Sequence, residues 1–388
     1  MKKSRTRFFL SVSWFLTFAA FLCALAYAAT SVQFGPNIRL GGFGNRQVET
    51  SIAANPADSR NLVLGFMDTF PAGSDPRQTC QSAFTTNGGA TYTLGGTSPL
   101  QRLPTATGIA CVDPSLTADL AGNFYFAYLN FNLGLPVPAD LFVAKSTDGG
   151  RTFPTYTVAV AGNDSVNEPD KPYIVADVGN GSPFKGSLYL SYTDLAVGYS
   201  IRIVSSRDGG HTWSSPVRIT NDTMGSNIFQ ASVPVVASDG TIYVFFSNFT
   251  FGVNGSLSIQ FSKSSDGGIS WSAPSSVASH LPSPGLFVLD NGDPNFGEVA
   301  DFGVGSNSFP SPAVAPDGTL YVAWADFPEG SCKRIGGSDR PSCGNADVRL
   351  SVSRNGGNSW TAPVKVSDDS GSGTDQFFPW IAVHPTGC

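Results

Sequence analysis

The sequence predicts an all-β chain folded as a six-bladed β-propeller whose sixth blade is incomplete. Three observations carry this. A box of hydroxyl, Asp or Asn, Gly-Gly and aromatic residue recurs five times at a near-constant period. A second phrase of two apolar, alternating segments around an Asp-Gly type turn travels with it. The 388 residues are 41% hydrophobic and 13% charged, with 43 Gly, 27 Pro and 29 Phe, a turn-rich globular composition that excludes disorder and coiled coil.

The box reads "KSTDGGRTF", "SSRDGGHTW" and "KSSDGGISW" at Asp148, Asp208 and Asp266. "SRNGGNSW" repeats it at Asn355, and a weaker copy stands at Thr85, Asn87, Gly89 and Tyr92. From Asn87 the steps are 61, 60, 58 and 89 residues, so the last holds an insertion at about 279–310. Each box suits a hairpin turn. The glycines permit positive φ. The Asp carboxylate and the hydroxyl two residues earlier can accept N–H groups of their own turn. The aromatic can lie back on its blade and cover the turn. The copied letters therefore read as structural parts and not as catalytic residues.

The second phrase reads "PSLTADLAGNFYFAY", "PVVASDGTIYVFF" and "PAVAPDGTLYVAW", two strands joined by a turn. A third strand precedes each box ("IRIVSSRDGG") and a fourth follows it ("SSPVRIT"). Four-stranded units repeated around an axis make a propeller. The blades fall at about 48–95, 110–160, 168–220, 230–278 and 310–367. A sixth begins at 376–388 with "QFFPWIAVHPTGC", one strand before the sequence stops, and strand 33–40 ("QFGPNIRL") would close it. A five-bladed ring with a tail is the alternative.

Residues 1–28 read as a secretory leader: Lys2, Lys3, Arg5 and Arg7, then an apolar run, then "AYA". An uncleaved anchor is the alternative. Bulky Phe21 and Leu22 before Cys23 exclude a lipoprotein site. Removal of the leader takes the net charge from −6 to −10, which with no basic run argues against nucleic acid. Export permits disulfides. Cys332 and Cys343, bracketing one short loop, are the first expected pair; Cys80 with Cys111 is the second, and Cys388 is left over. No Cys-x-x-Cys or histidine cluster suggests zinc.

The S-x-D-x-G-x-x-W pattern resembles the Asp-box, or BNR, repeat of the sialidase-like superfamily, and the resemblance covers about residues 33–388. It implies a sialidase-like propeller with the boxes on the face away from an active site. It also implies an arginine triad for a sialate carboxylate, its first member in an Arg-Ile-Pro motif. This chain has no such motif. The matching stretch "RQVETSIAAN" presents Glu49 and Thr50, with Arg46 just before, and the family's late nucleophilic tyrosine falls near or beyond the end of this sequence.

Function in a propeller lies at the mouth of the central channel. The loops entering the inner strands carry Glu49, Asp113, Glu168 with Asp170 and Lys171, Gln230, and Asp375 with Gln376. The insertion adds Asp290, Asp293, Glu298 and Asp301, and the cysteine loop Asp326, Glu329, Arg334 and Arg340. Paired carboxylates suit general acid and nucleophile work on glycosidic bonds, and their oxygens would also suit Ca²⁺. Taken singly, each acid could equally cap a strand end or solvate a surface. The candidate catalytic residues are Glu49, Asp113, Glu168 and Asp170; the candidate substrate-binding residues are Arg46, Lys171, Gln230 and Asp375. Glu168 and Asp170, two apart on extended backbone, are expected on one side with Lys171 turned away. The expected protein is secreted, extracellular or periplasmic: a glycoside hydrolase or related carbohydrate-active protein acting on extracellular glycan or glycoprotein, with no membrane contact beyond the leader. The alternatives are a non-catalytic propeller binding glycan or protein at the cell surface, and a polysaccharide lyase using Lys171.

Overall fold

A computed structural model describes residues 46–69, 78–95, 109–132, 139–163, 167–196, 198–221, 227–250, 256–281, 287–288, 294–295, 297–299, 304–306, 308–326, 332–334, 341–343, 346–367 and 376–384. The leader and the closing strand 33–40 lie outside these residues.

Five antiparallel four-stranded sheets follow one another along the chain. The first comprises β1 (Arg46–Asn55), β2 (Asp58–Thr69), β3 (Gln78–Thr85) and β4 (Thr93–Leu94). The second comprises β5 (Ile109–Ala118), β6 (Phe124–Asn132), β7 (Asp140–Ser146) and β8 (Thr155–Val160). The third has β9 (Pro169–Ala176), β10 (Leu188–Asp194), β11 (Ser200–Ser206) and β12 (Val217–Arg218). The fourth has β13 (Asn227–Val236), β14 (Ile242–Thr250), β15 (Ser256–Ser264) and β16 (Ser275–Leu281). The insertion supplies short β17 (Phe287–Val288), β18 (Pro294–Asn295), β19 (Gly297–Val299) and β20 (Val304–Ser306). The fifth blade opens with β21 (Ser311–Val314) and β22 (Leu320–Asp326). A side excursion of β23 (Cys332–Arg334) and β24 (Pro341–Cys343) pairs with β19, and β25 (Asp347–Ser353) with β26 (Val364–Lys365) completes the blade.

The second strands β6, β10, β14 and β22 are largely buried because neighbouring blades cover both their faces. All seven residues of β10 are buried, and so are eight of the nine in β14. Four of the five hydrophobic clusters among the described residues span two blades. One joins Val63 and Cys80 to Phe124, Phe126 and Phe142. Another joins Phe245 and Phe261 to Leu320 and Trp324. Side chains such as these each contribute about 1.5–3 kcal/mol on burial, so the core lies between blades and not within them. Cys80 and Cys111 are bridged, with Cα atoms 5.4 Å apart, which ties blade one to blade two covalently. The first expected pair, Cys332 and Cys343, stand opposite each other in backbone register, and their side chains lie outside the described residues.

The structure has five blades where the sequence predicts six. Residues 376–384 do copy the start of an inner strand. Ile381 N–H donates to Ser311 Oγ at 3.0 Å, as Leu116 does to Ser51 and Ile174 to Ser115 at earlier junctions. Inner-strand spacing alone therefore counts a sixth unit. A blade also needs a ladder, and 376–384 pair with no second strand among the described residues.

The boxes are turns, as their letters imply, and they do more than close hairpins. Ser206 Oγ donates to Asp208 Oδ1 (2.8 Å) and accepts from Gly210 N (2.9 Å), while Asp208 accepts both Thr212 N and Thr212 Oγ1. The same net holds Ser146 with Asp148 and Ser264 with Asp266. The aromatic does not lie only on its own blade. Trp213 packs between blades two and three, and its Nε1–H donates to Thr157 Oγ1 of the preceding blade at 3.1 Å. The glycines dock there too: Asn61 Nδ2 donates to Gly149 O, Thr157 Oγ1 to Gly210 O and Lys263 Nζ to Gly356 O. Gly150, at φ +83°, lies so close to buried Val63 of blade one that a β-carbon would overlap it. Four of the five boxes are staples between blades; at the first, a β-carbon on Gly88 would meet nothing and one on Gly89 only Tyr92 of the same box.

Candidate functional site

The inner strands enter from the face opposite the boxes, and four of them enter through the same irregularity. The register skips between Val48 and Ser51, between Val112 and Ser115, and between Gln230 and Val233, each a β-bulge. In β9 the skip falls between Asp170 and Tyr173. The first bulged residue is left-handed each time: Glu49 (φ 53°), Asp113 (53°), Lys171 (48°) and Ala231 (57°). Phe378, in the 376–384 segment, copies it at 50°. Such a conformation costs a side-chain-bearing residue about 1–2 kcal/mol and persists where surrounding contacts enforce it. Bulges turn a side chain out of the pleat, here toward the channel mouth.

Three of these side chains meet. The Lys171 ammonium donates to Glu49 Oε1 at 3.0 Å and to Asp113 Oδ1 at 2.6 Å. The Asp113 backbone N–H donates to Glu49 Oε2 at 2.9 Å. Blades one, two and three are thus joined at the mouth by one cation between two carboxylates. The two bound oxygens are no farther apart than those two short bonds laid end to end. Asp170, beside Lys171 on β9, accepts from Gln230 Nε2 of blade four at 3.1 Å.

Partial burial raises the Glu49 carboxyl above its ordinary pKa. The Asp113 charge adds to this, and Lys171 pulls back without cancelling it. Burial likewise raises Asp170, against the pull of Lys171 and the Gln230 hydrogen bond. Burial works against the Lys171 ammonium, but Asp113 and Glu49 together outweigh it and hold it charged.

The structure brings Glu49, Asp113, Asp170, Lys171 and Gln230 together. It corrects the expected geometry of "NEPDKP". Lys171 was expected to turn away from the acids, but the left-handed bulge breaks the alternation of the strand and turns it onto Glu49 and Asp113. Glu168 stands apart from this net. It precedes β9, its backbone N–H donates to Asp194 Oδ1 at 2.9 Å, and its carboxylate has no partner among the described residues. Asp194 is fully buried and paired with Arg202 at 2.8 Å, so a buried ion pair at the top of blade three anchors that loop. Arg46 opens β1 opposite Thr69, and its side chain lies outside the described residues, as does all of Asp375. Asp290, Asp293, Asp301, Glu329 and Arg340 also lie outside them, with the side chains of Glu298 and Arg334. Asp326 pairs with Arg349 at 3.3 Å. Among the described residues no three His, Cys, Asp or Glu side chains converge as metal ligands. Glu49 and Asp113 converge on the Lys171 ammonium.

Sequence reasoning missed two aromatics. Tyr173 lies two residues below Lys171 on β9, and Trp380 two residues below Phe378. Their rings stack at 6.0 Å with planes 19° apart. The only signal in the sequence was that "DKPY" and "FFPW" are the same entry written twice.

Fold and repeats define the class: this chain is a repeat-built β-propeller. The family model of a BNR repeat-like domain matches residues 194–292. No curated protein sequence matches the chain. Among solved structures the chain is similar to a protein of unknown function from Dyadobacter fermentans, at 14% identity and TM-score 0.54 over 85% of each chain. It is similar to an α-L-arabinanase from Penicillium chrysogenum complexed with arabinobiose, at 16% identity and TM-score 0.51 over 81% of this chain and 80% of that one. It is also similar to the leech intramolecular trans-sialidase, at 11% identity and TM-score 0.56 over 92% of this chain and 66% of that one. Likeness at such identities establishes the fold and not the reaction.

Proposed function

We propose that the chain is a secreted, carbohydrate-active propeller that holds a neutral extracellular glycan at the channel mouth and hydrolyses its glycosidic bond. One observation carries this: Glu49 and Asp113, from adjacent blades, converge on Lys171 through enforced left-handed bulges. Glu49, its proton affinity raised by burial and by Asp113, is the proton donor to the leaving oxygen. Asp113, fixed by Lys171, faces the positive charge that develops on the sugar, and a water then bonds to the anomeric carbon and gives its proton to the carboxylate left on Glu49. Asp170 and Gln230 supply hydrogen bonds to sugar hydroxyls. With Glu49 protonated, Asp113 and Asp170 still outnumber the one ammonium and leave the mouth negative, which disfavours a carboxylated sugar such as sialate. The arabinobiose held by the structurally similar arabinanase is a sugar of the neutral kind.

The test is product release from labelled arabino-oligosaccharides, other neutral oligosaccharides and sialyllactose. Neutral substrates should be cleaved, and Glu49→Gln should cut the rate by about 100-fold or more. Preferential cleavage of sialyllactose, or an undiminished rate in Glu49→Gln, would refute the assignment. The Lys171 ion pair, which occupies both carboxylates, favours a second reading: a non-catalytic propeller that binds the same glycans. Calorimetry would then detect binding by a protein that releases no product.

A further inference from the structure

We infer that the Tyr173–Trp380 stack is the floor of the mouth and the surface on which a sugar ring lies, beneath the Glu49–Asp113–Lys171 cluster. The inference rests on the glycan reading above and names the part of the sugar that the site recognises.

The placement follows from the order of the inner strands. β1, β5, β9, β13 and β21 contact one another in series, and 376–384 follow β21 through the Ile381–Ser311 hydrogen bond. Two inner strands, β21 and β13, therefore separate Trp380 from Tyr173 along the ring. A ring contact between them crosses the channel. Both residues stand two positions beyond a left-handed bulge, so they meet at one level, just below the charged ring. Glu49, Asp113 and Lys171 lie near enough to act electrostatically on the Tyr173 hydroxyl.

The exposure of Trp380 gives the floor its chemistry. An indole spanning a channel only to plug it would be covered on both faces. Trp380 is 60% exposed and Phe378 54% exposed, while Tyr173 is partly buried beneath. A large apolar surface thus lies under a rim of carboxylate, ammonium and amide. That is the arrangement of a ligand pocket, apolar below with a few polar groups to fix orientation. A sugar ring matches it, with one face of C–H groups and an edge of hydroxyls. A flat hydrocarbon would leave the rim groups unpaired, and an anion would meet the negative rim.

The experiment uses the full chain with arabinobiose, cellobiose and galactobiose as neutral probes and sialyllactose as the anionic one. Calorimetry measures affinity for the wild type, Trp380→Ala and Trp380→Phe. Circular dichroism and thermal melting report the fold of each variant. Acrylamide quenching of tryptophan fluorescence is measured on the wild type with and without sugar. The expected results are binding of at least one neutral probe, about tenfold or greater weakening in Trp380→Ala, and near-wild-type affinity in Trp380→Phe. Bound sugar should also shield an exposed tryptophan from acrylamide. Unchanged affinity in a folded Trp380→Ala would overturn the floor and leave the glycan reading standing. If that variant does not fold, unchanged quenching on saturation of the wild type overturns it equally. Failure of every probe to bind the wild type overturns both.

Discussion

Gly150→Ala tests whether the boxes hold blades together or only close their own hairpins. Gly150 and Gly318 share φ +83°, but their surroundings differ. A β-carbon at Gly318 has nothing within 4 Å, whereas at Gly150 it overlaps the Val63 side chain of blade one. Both alanine variants carry the backbone cost of a left-handed side chain, about 1–2 kcal/mol, partly offset by a stiffer unfolded chain. Only Gly150→Ala adds overpacking, about 1–3 kcal/mol. Val63 is fully buried and cannot swing into solvent. The expected difference between the two variants is therefore about 1–3 kcal/mol, or roughly 2–6 °C in Tm at about 2 °C per kcal/mol for a large domain. Differential scanning calorimetry and urea titration of both would measure it. A Gly150→Ala/Val63→Ala double variant should show coupling, because truncating Val63 makes room for the methyl. Equal losses in the two single variants with additive double-variant energies would refute the interblade staple.

Three further outcomes follow from the same contacts. The Asp266 carboxyl is held down to about 2, first by the Ser270 hydroxyl and then by the Ser270 N–H. Its contribution is present above the ordinary value of 3.8 and lost as pH falls toward 2, so the melting temperature of Asp266→Asn should vary less with pH across that window than the wild type's. Asn355 already makes the corresponding bonds to Ser359, so the variant should fold. Lys171→Met leaves Glu49 and Asp113 facing each other. It should cost about 1–3 kcal/mol near neutral pH, discounted for a side chain still 23% exposed. A raised carboxyl pKa penalises the fold above that pKa, so the loss should shrink as pH falls through it; a pH-independent loss by chemical denaturation would count against the ion-pair cluster. Cys80→Ser should cost about 2–5 kcal/mol, and a non-reduced digest of the wild type should yield the Cys80–Cys111 peptide pair.

Much of the architecture is local chemistry and was legible in the sequence. The Ser-x-Asp-x-Gly box closes its own turn with hydrogen bonds within seven residues, and a second strand such as "FYFAYLNFN" announces its burial by composition. Which acids matter was legible only as a set of loop entries. Alternation along a strand placed Glu168 with Asp170 and turned Lys171 away. The left-handed bulge undoes alternation, and nothing in "NEPDKP" marks Lys171 as the residue that turns, since lysine is not a residue that favours that conformation.

Sequence by itself determined the repeat, the turn geometry of the boxes, the four-stranded unit and the acidic character of the loops. Each of these depends on residues close together along the chain, where spacing and side-chain type decide the outcome. Tertiary structure decided the rest: five blades and not six, boxes clamped onto the preceding blade, Glu49 and Asp113 closed on Lys171 across three blades, and Tyr173 stacked on Trp380 across the channel. These pairs are brought together by the ring, with Glu49 and Lys171 standing 122 positions apart in the chain. No local pattern carries the angle at which successive blades pack, and that angle alone decides which loop entries meet at the axis.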